Sequence, residues 1–328
     1  MGNTDFSDDP LSAGGFGPGD STIRVRPGPV RTTFIRPRVQ RIMAKDGWIT
    51  PYPACPCIRL IVPTASFAVT LEKTGVGASP DWVERMKEGW ETDVLALLDV
   101  LFNGTWTQKT VFSEIQNRCA AKNFKVFIFP RVYRPDLLPS KGKDEGEVIN
   151  IYLNSVTSGP VSPEGENPAI YFDPATWRSD SIIRIDGEIT QPNRFGGAGM
   201  EPGDNLFHEL VHAERRLKGV RDRTATRTRA YNCVEEFAAV LFTNIGISEA
   251  ASFRLLRYCE TTFMPMPPQY KTSAGYLTNA EHIELIKKIQ NQDPGLCLRV
   301  ASSVQPNPFN PLRRLVKGQL WNGQMADW

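Results

Sequence analysis

NLFHELVHAERRL, residues 205–217, is the stretch on which the reading of this chain turns. Leu206, Phe207, Leu210, Val211 and Leu217 recur at helical spacing, which predicts an amphipathic helix over about 205–217. On a helix, positions i and i+4 lie one turn apart on the same face, so His208 and His212 aim two imidazoles at one point. That arrangement binds zinc, and it leaves Glu209 close enough to take a proton from a zinc-activated water. Five-residue patterns recur by chance, so context has to decide. Here the whole chain has 3 histidines, two of them in this motif, and the motif follows a Gly-Asp loop into a helical run. The competing reading is a charged amphipathic helix with incidental histidines.

A catalytic zinc site takes three protein ligands and keeps one position open for water. Gly at 215 and His at 218 would continue the metzincin pattern; Arg215 and Lys218 stand there instead and exclude that class. His282 lies far along the chain, on a separate expected helix at about 279–290. A nearer helix, expected at about 231–246, offers Glu235 and Glu236 close to its start. Adjacent helical residues do not face the same way, so the two cannot share one role. The apolar stripe of Val234, Phe237, Ala238 and Leu241 flanks both almost equally, and periodicity leaves the choice open. Whichever is not a ligand is a helix N-terminal charge, favourable with the helix dipole.

Outside this region the chain reads as an ordinary folded protein. It has 328 residues, 41% of them hydrophobic, with 38 basic against 36 acidic residues and a net charge of +2. That balance excludes a highly charged disordered chain and gives no global reason to expect nucleic-acid binding. The longest uncharged apolar run, Leu60 to Leu71, is shorter than the about 20 residues a membrane span needs. The acidic start MGNTDFSDDP is not a secretory signal. The 6 cysteines lack paired CxxC spacing, so reduced thiols are the default; Cys55-Pro56-Cys57 receives no role. Three segments are expected: a flexible basic arm over 1–45, a folded domain over 46–300, and a Pro/Asn-rich tail over 301–328.

Strands are expected at 57–71 with a break at Pro63, at 124–129, 148–153, 169–172 and 182–185. Helices are expected at 79–103, with Ser79 as N-cap and Asn103-Gly104 as stop, and at 107–121 and 249–259. The helix at 279–290 carries a Thr278–Glu281 capping box, and residues 291–328 read as a wrapping tail. The Gly-rich loop 196–204 lacks the endings of a phosphate cradle.

LFHELVHAERRLKG followed by YNCVEEFAAVLFTNIGISE resembles the secreted zinc-metallopeptidase effectors of plant- and animal-associated bacteria. Those are delivered by type III secretion or occur as toxin modules of type VI systems. By site architecture, clostridial neurotoxin light chains and anthrax lethal factor are more distant relatives. The family pattern is HELxHA, a Gly about seven residues on, and EEFFAxLxTNIxxSE. His208, Glu209, His212, Ala213, Gly219, Glu235, Glu236, Phe237, Ala239, Leu241, Thr243, Asn244, Ile245, Ser248 and Glu249 match, and Ala238 stands where the family has Phe. GENPAIYFDP, 165–174, looks like the family's strand before the zinc helix, and the similarity covers about 105–258.

The resemblance implies an α+β, zincin-like metallopeptidase with a mixed sheet and an HExxH active-site helix. It implies one zinc ion per chain held by His208, His212 and Glu236, with Glu235 as second choice for the third ligand, and Glu209 as general base. It further implies secretion without a signal peptide, through a specialised secretion system, and virulence-associated action in a target cell, in host cytosol or bacterial periplasm. The partners implied are a protein substrate there, and a cognate immunity protein or secretion-apparatus component.

Several features rank lower. The loop 221–229 carries Arg221, Arg223, Arg227 and Arg229 and joins the two ligand helices; it suits an acidic substrate segment, although solvated basic loops are common. Tyr231, Arg257, Tyr258 and Tyr276 are candidates to stabilise a tetrahedral intermediate. Two rival functions stand beside the peptidase. One is a non-catalytic zinc-binding toxin or interaction module, its fourth ligand a Cys such as Cys233. The other is a nucleic-acid binder using the arm and the arginine loop, which the balanced charge opposes.

Overall fold

Two layers meet in this protein: a small mixed sheet and a set of helices packed against it. The computed structural model describes residues 41–44, 47–63, 89–130, 165–172, 174, 184–185, 188–189, 198–199, 201–228, 230–250, 255–259, 264–305 and 309–315. The expected strand at 148–153, the arm up to residue 40, Arg229 and the end of the tail lie outside them.

The sheet runs β1 (Ile42–Ala44), β2 (Gly47–Tyr52), β3 (Cys55–Pro63), β4 (Val126–Phe129) and β5 (Ala169–Tyr171), in that spatial order. The first three strands pair antiparallel, whereas β3, β4 and β5 are parallel neighbours, with Leu60 opposite Ile128 and Phe129 opposite Tyr171. All four residues of β4 are buried, as expected of a central strand covered on both faces. A separate ribbon pairs β6 (Arg184–Ile185) with β7 (Glu188–Ile189).

Helix α1 spans Trp90–Phe102 and ends at Asn103, as the Asn-Gly pair suggested. Its N-cap is Gly89, at φ 102°, a left-handed conformation that interrupts a helix, and residues 79–88 of the expected helix lie outside the described ones. Trp90 Nε1 donates to the Phe172 carbonyl at 2.9 Å and ties the helix to the end of β5. Helix α2, Trp106–Lys122, opens with a capping box in which Thr105 and Gln108 bond each other's backbone N–H, and it buries Val111, Phe112, Ile115 and Cys119.

Helix α3 spans Pro202–Leu217, and α4 spans Val234–Glu249. Helix α3 packs against α1, α2 and α4, with Leu206, Phe207, Leu210, Val211 and Leu217 in the core. Proline in its first turn needs no N–H donor, which suits that position. Its far end is pinned by the irregular segment before β5. Gly165, at φ 86°, sits so close that a Cβ there would lie 1.8 Å from the Leu217 carbonyl oxygen. Next to it, Glu166 pairs with Arg216 at 2.6 Å. The GEN segment thus sets the height of α3 against the sheet.

Four expectations need correction. Helix α4 begins three residues later than residue 231, because Tyr231 and Asn232 are not helical and Cys233 is extended and bridges Ala225. Residues 255–259 are not helical: the Asn244 side chain of α4 donates to the Arg257 carbonyl at 2.6 Å and accepts its N–H at 2.8 Å, and Arg257 bridges Pro265. An amide that pairs both backbone groups of an extended residue replaces the bonds a helix would have made. Helix α6, Ala280–Gln292, follows a short α5 (Ser273–Tyr276), and its N-cap is Asn279, which accepts the Glu281 N–H. Thr278 instead donates to the Gly275 carbonyl, so no box forms with Glu281. Finally, the tail contains α7, Pro294–Ala301, capped by Asp293, and Phe309 and Leu312 beyond it are buried. Asp-Pro is a sound helix start, and the Pro-rich composition obscured it.

The described part is therefore a mixed α+β fold with a small mixed sheet. None of its helices is long and apolar enough to cross a membrane. All six cysteines are free thiols.

Candidate metal centre

Helices α3 and α4 bring three donor atoms to one point. His208 Nε2 lies 3.1 Å from His212 Nε2 and 3.2 Å from Glu236 Oε2, and His212 Nε2 lies 3.3 Å from the same carboxylate oxygen. The helical i, i+4 spacing supplies the histidines, and the first turn of α4 supplies the carboxylate. Among the described residues this is the group of three or more His, Cys, Asp or Glu side chains able to hold a metal ion.

The triangle fits such an ion. Two ligands at about 2.0–2.1 Å in a tetrahedral arrangement are about 3.3 Å apart, close to each edge seen here. The chemistry fits as well, since two imidazoles and one carboxylate form a common catalytic zinc set. Without a cation between them, acceptor lone pairs face one another, and a proton on an imidazole is what relieves the contact. Burial opposes charge on His212, but Glu235 and Glu236 outweigh it and push its pKa up to about 10. His208 goes the other way: burial dominates and lowers its pKa. Glu236 stays well below the usual carboxylate range because the two histidines outweigh its burial.

The neighbouring glutamates part company. Glu236 is partly open to solvent and faces the triangle, whereas Glu235 is 0% exposed and sits behind His212. Its Oε1 is 3.0 Å from His212 Nδ1, and its Oε2 accepts from Arg215 Nε at 2.9 Å. Burial raises the Glu235 pKa, but His212 and Arg215 prevail and hold it at about 2. His208 is backed differently: its Nδ1 is buried with no hydrogen-bond partner among the described residues.

Glu209 lies on α3 between the two histidines, half-buried and close enough to His208 to influence its charge. Of the four residues suggested for stabilising an oxyanion, Arg257 adds a small positive influence that, after burial and His212, lowers the His208 pKa. Its side chain is buried beneath Gly199, whose φ of 68° brings the loop before α3 over it. Tyr231 and Tyr276 are buried with their hydroxyls 3.5 Å apart, and Tyr258 stacks on Tyr270. His282 is a core residue, stacked on Tyr276 with ring centroids 4.0 Å apart and its Nδ1 on the Tyr276 carbonyl. It takes no part in the triangle, and neither does Cys233, the N-cap of α4. In the loop joining the ligand helices, Arg223 and Arg227 are exposed and Arg221 is half-buried.

Sequence reasoning missed Arg215. In the sequence alone it is only the residue that stands where a metzincin has glycine. The signal was present, since position 215 is three residues from His212 and so on the same side of α3. Which carboxylate Arg215 meets depends on α4, and helical periodicity does not carry that information.

Compared with known proteins, the chain matches no protein-family model, no curated protein and no solved structure.

Proposed function

We propose that this protein is a zinc-dependent metallopeptidase of zincin-like fold, with His208, His212 and Glu236 as ligands of one zinc ion and Glu209 as general base. The observation that carries the reading is the donor triangle with edges of 3.1 to 3.3 Å on an HExxH helix. A zinc ion held there supplies Lewis acidity, polarising a carbonyl oxygen and making a water nucleophilic at neutral pH.

The chain's own residues do the rest. His208 and His212 present their Nε2 atoms from one face of α3, and Glu236 presents Oε2 from α4. The Glu209 carboxylate takes a proton from the attacking water and then returns one to the leaving amine nitrogen. Arg257, whose Nε donates to the Cys259 carbonyl at 2.7 Å, offers positive charge to the oxygen of the tetrahedral intermediate. Burial of His208 and of the floor beneath it excludes solvent from one side, which strengthens each of these interactions. The substrate class we infer is a polypeptide in a target cell, reached by specialised secretion; the HELVHA and EEFAAVLFTNIGISE segments support that setting.

The test is Glu209→Ala expressed beside wild type, once in bacterial cytosol and once in periplasm. Growth inhibition by the wild type in one compartment is expected, with loss of toxicity in the variant at equal zinc content and melting temperature. A zinc-loaded Glu209→Ala protein as toxic as wild type would refute the peptidase and leave the non-catalytic binding module.

A further inference from the structure

The three ligands are not held alike. His208 Nδ1 has no hydrogen-bond partner among the described residues, whereas His212 is backed by a continuous chain of polar groups with a buried Glu235–Arg215 pair at its centre. Its Nδ1 meets Glu235 Oε1 at 3.0 Å. Glu235 Oε2 accepts from Arg215 Nε at 2.9 Å and from the Asp222 N–H at 3.2 Å. Another Arg215 nitrogen, Nη2, donates to the Val220 carbonyl at 3.0 Å and to Gln292 Oε1 at 2.7 Å. Gln292 in turn donates to Asp222 at 2.6 Å, and Lys288 pairs with the same Asp222 oxygen at 2.8 Å. Glu235 and Arg215 are both 0% exposed. The chain thus runs from α6, through the start of the arginine loop, to one ring nitrogen of one ligand.

We propose that Glu235 is a positioning residue of the metal centre: it fixes the ring and tautomer of His212 through Nδ1, and Arg215 fixes Glu235. The inference rests on the metal reading above. A carboxylate that accepts the Nδ1 hydrogen leaves the Nε2 lone pair directed into the donor triangle, and it makes the imidazole a better ligand. Both carboxylate oxygens are occupied, so the carboxylate cannot rotate towards the metal in place of Glu236. This explains physically why two adjacent glutamates serve one site without competing for it.

A purely structural role is the alternative. Arg215 is a buried cation, and Glu235 would then be no more than its counter-charge. The two cases separate when both charges are removed together, because exchanging a buried ion pair for apolar groups of similar volume is often neutral or stabilising. The experiment is zinc competition with a chelator, together with the visible spectrum of the cobalt(II)-loaded protein. It compares wild type, His212→Ala and the double variants Arg215→Met/Glu235→Leu and Arg215→Met/Glu235→Gln.

Positioning predicts that the Met/Leu variant folds and still takes one zinc at saturation, with affinity about 10- to 100-fold below wild type. Its cobalt bands should shift while keeping their intensity, since no ligand is lost. The Met/Gln variant should recover part of the affinity, because its amide oxygen can still accept the Nδ1 hydrogen. Zinc affinity and cobalt bands equal to wild type in both double variants would overturn the proposal and make Glu235 a counter-charge only. Full zinc retention in His212→Ala is a different failure, since it would remove the metal reading itself.

Discussion

Helix α3 and its C-cap carry two polar clusters built on opposite plans. Around Lys218, just past the helix end, Glu114 of α2, Glu214 one turn back and Asp293 before α7 converge on Nζ at 2.5 to 2.7 Å. Glu114 also pairs with Arg299. The chain supplies both signs, and burial pushes the Glu214 carboxyl up to about 8 despite Lys218. Around His208 and His212 the chain supplies acceptors that converge on one another, and among the described residues no lysine or arginine pairs with Glu236. The arginine that does approach, Arg215, is committed to Glu235. Burying charge is costly unless it is paired, so a cluster that provides its own cation is a structural joint. One that gathers donors around a common point could hold a cation from outside.

The comparison can be tested from its strongest consequence downwards. Loss of Glu209, the proposed general base, which belongs to neither cluster, should lower hydrolysis or toxicity by about a hundred- to ten-thousand-fold. Zinc content, read by elemental analysis, should stay near one per chain in the same protein.

The next effect concerns metal affinity. His212→Ala should weaken zinc binding by more than about a hundredfold, beyond what outer hydrogen-bond partners cost. Lys218→Met should leave the zinc dissociation constant essentially unchanged in the same chelator titration. If Lys218→Met strips zinc as His212→Ala does, the two clusters are one unit and the contrast fails.

Stability should reverse that order. Removing Lys218 leaves Glu114, Glu214 and Asp293 facing one another, and breaking a buried ionic cluster costs about 3–5 kcal/mol. Lys218 retains some exposure, which places the expected loss at the lower end. Urea unfolding of metal-free protein measures it, and His212→Ala should lose much less in that assay.

The smallest effect is a pH dependence. Asp222, despite partial burial, is held at about 2 by Lys288, Thr224 and Gln292, below its ordinary 3.8. Asp293 is likewise lowered, with Lys218 outweighing its burial. A folded-state pKa below the unfolded one contributes stability that is full above the unfolded value and is lost as pH falls towards the folded value. Melting temperature should therefore fall between about pH 5 and pH 2, and Asp222→Asn should start lower at pH 7 by a few degrees but fall less steeply. A variant with the same acid slope as wild type would show that Asp222 is not one of the groups responsible.

How much of this was legible beforehand depended on the range of the interactions. The ends of α1 at Asn103 and of β4 before Pro130 follow from local backbone chemistry and were readable. The start of α1 at Gly89 was not, because an apolar stripe continues through a position where the backbone turns left-handed. Residues 255–259 have helical composition, yet the Asn244 side chain captures Arg257, and no local pattern in that segment announces a partner on another helix.

The candidate centre divides in the same way. By itself, the sequence determined that His208 and His212 share a face and that Glu209 sits between them, because one turn of helix dictates all three. It also narrowed the carboxylate to Glu235 or Glu236. Only the tertiary structure decided which of them faces the imidazoles and which stands behind His212. That assignment depends on the angle at which α4 crosses α3 and on Arg215, Asp222 and Gln292, which meet through packing across up to 77 residues of chain. Helical periodicity fixes direction around one axis; the relation between two axes is set by the side chains that fill the space between them.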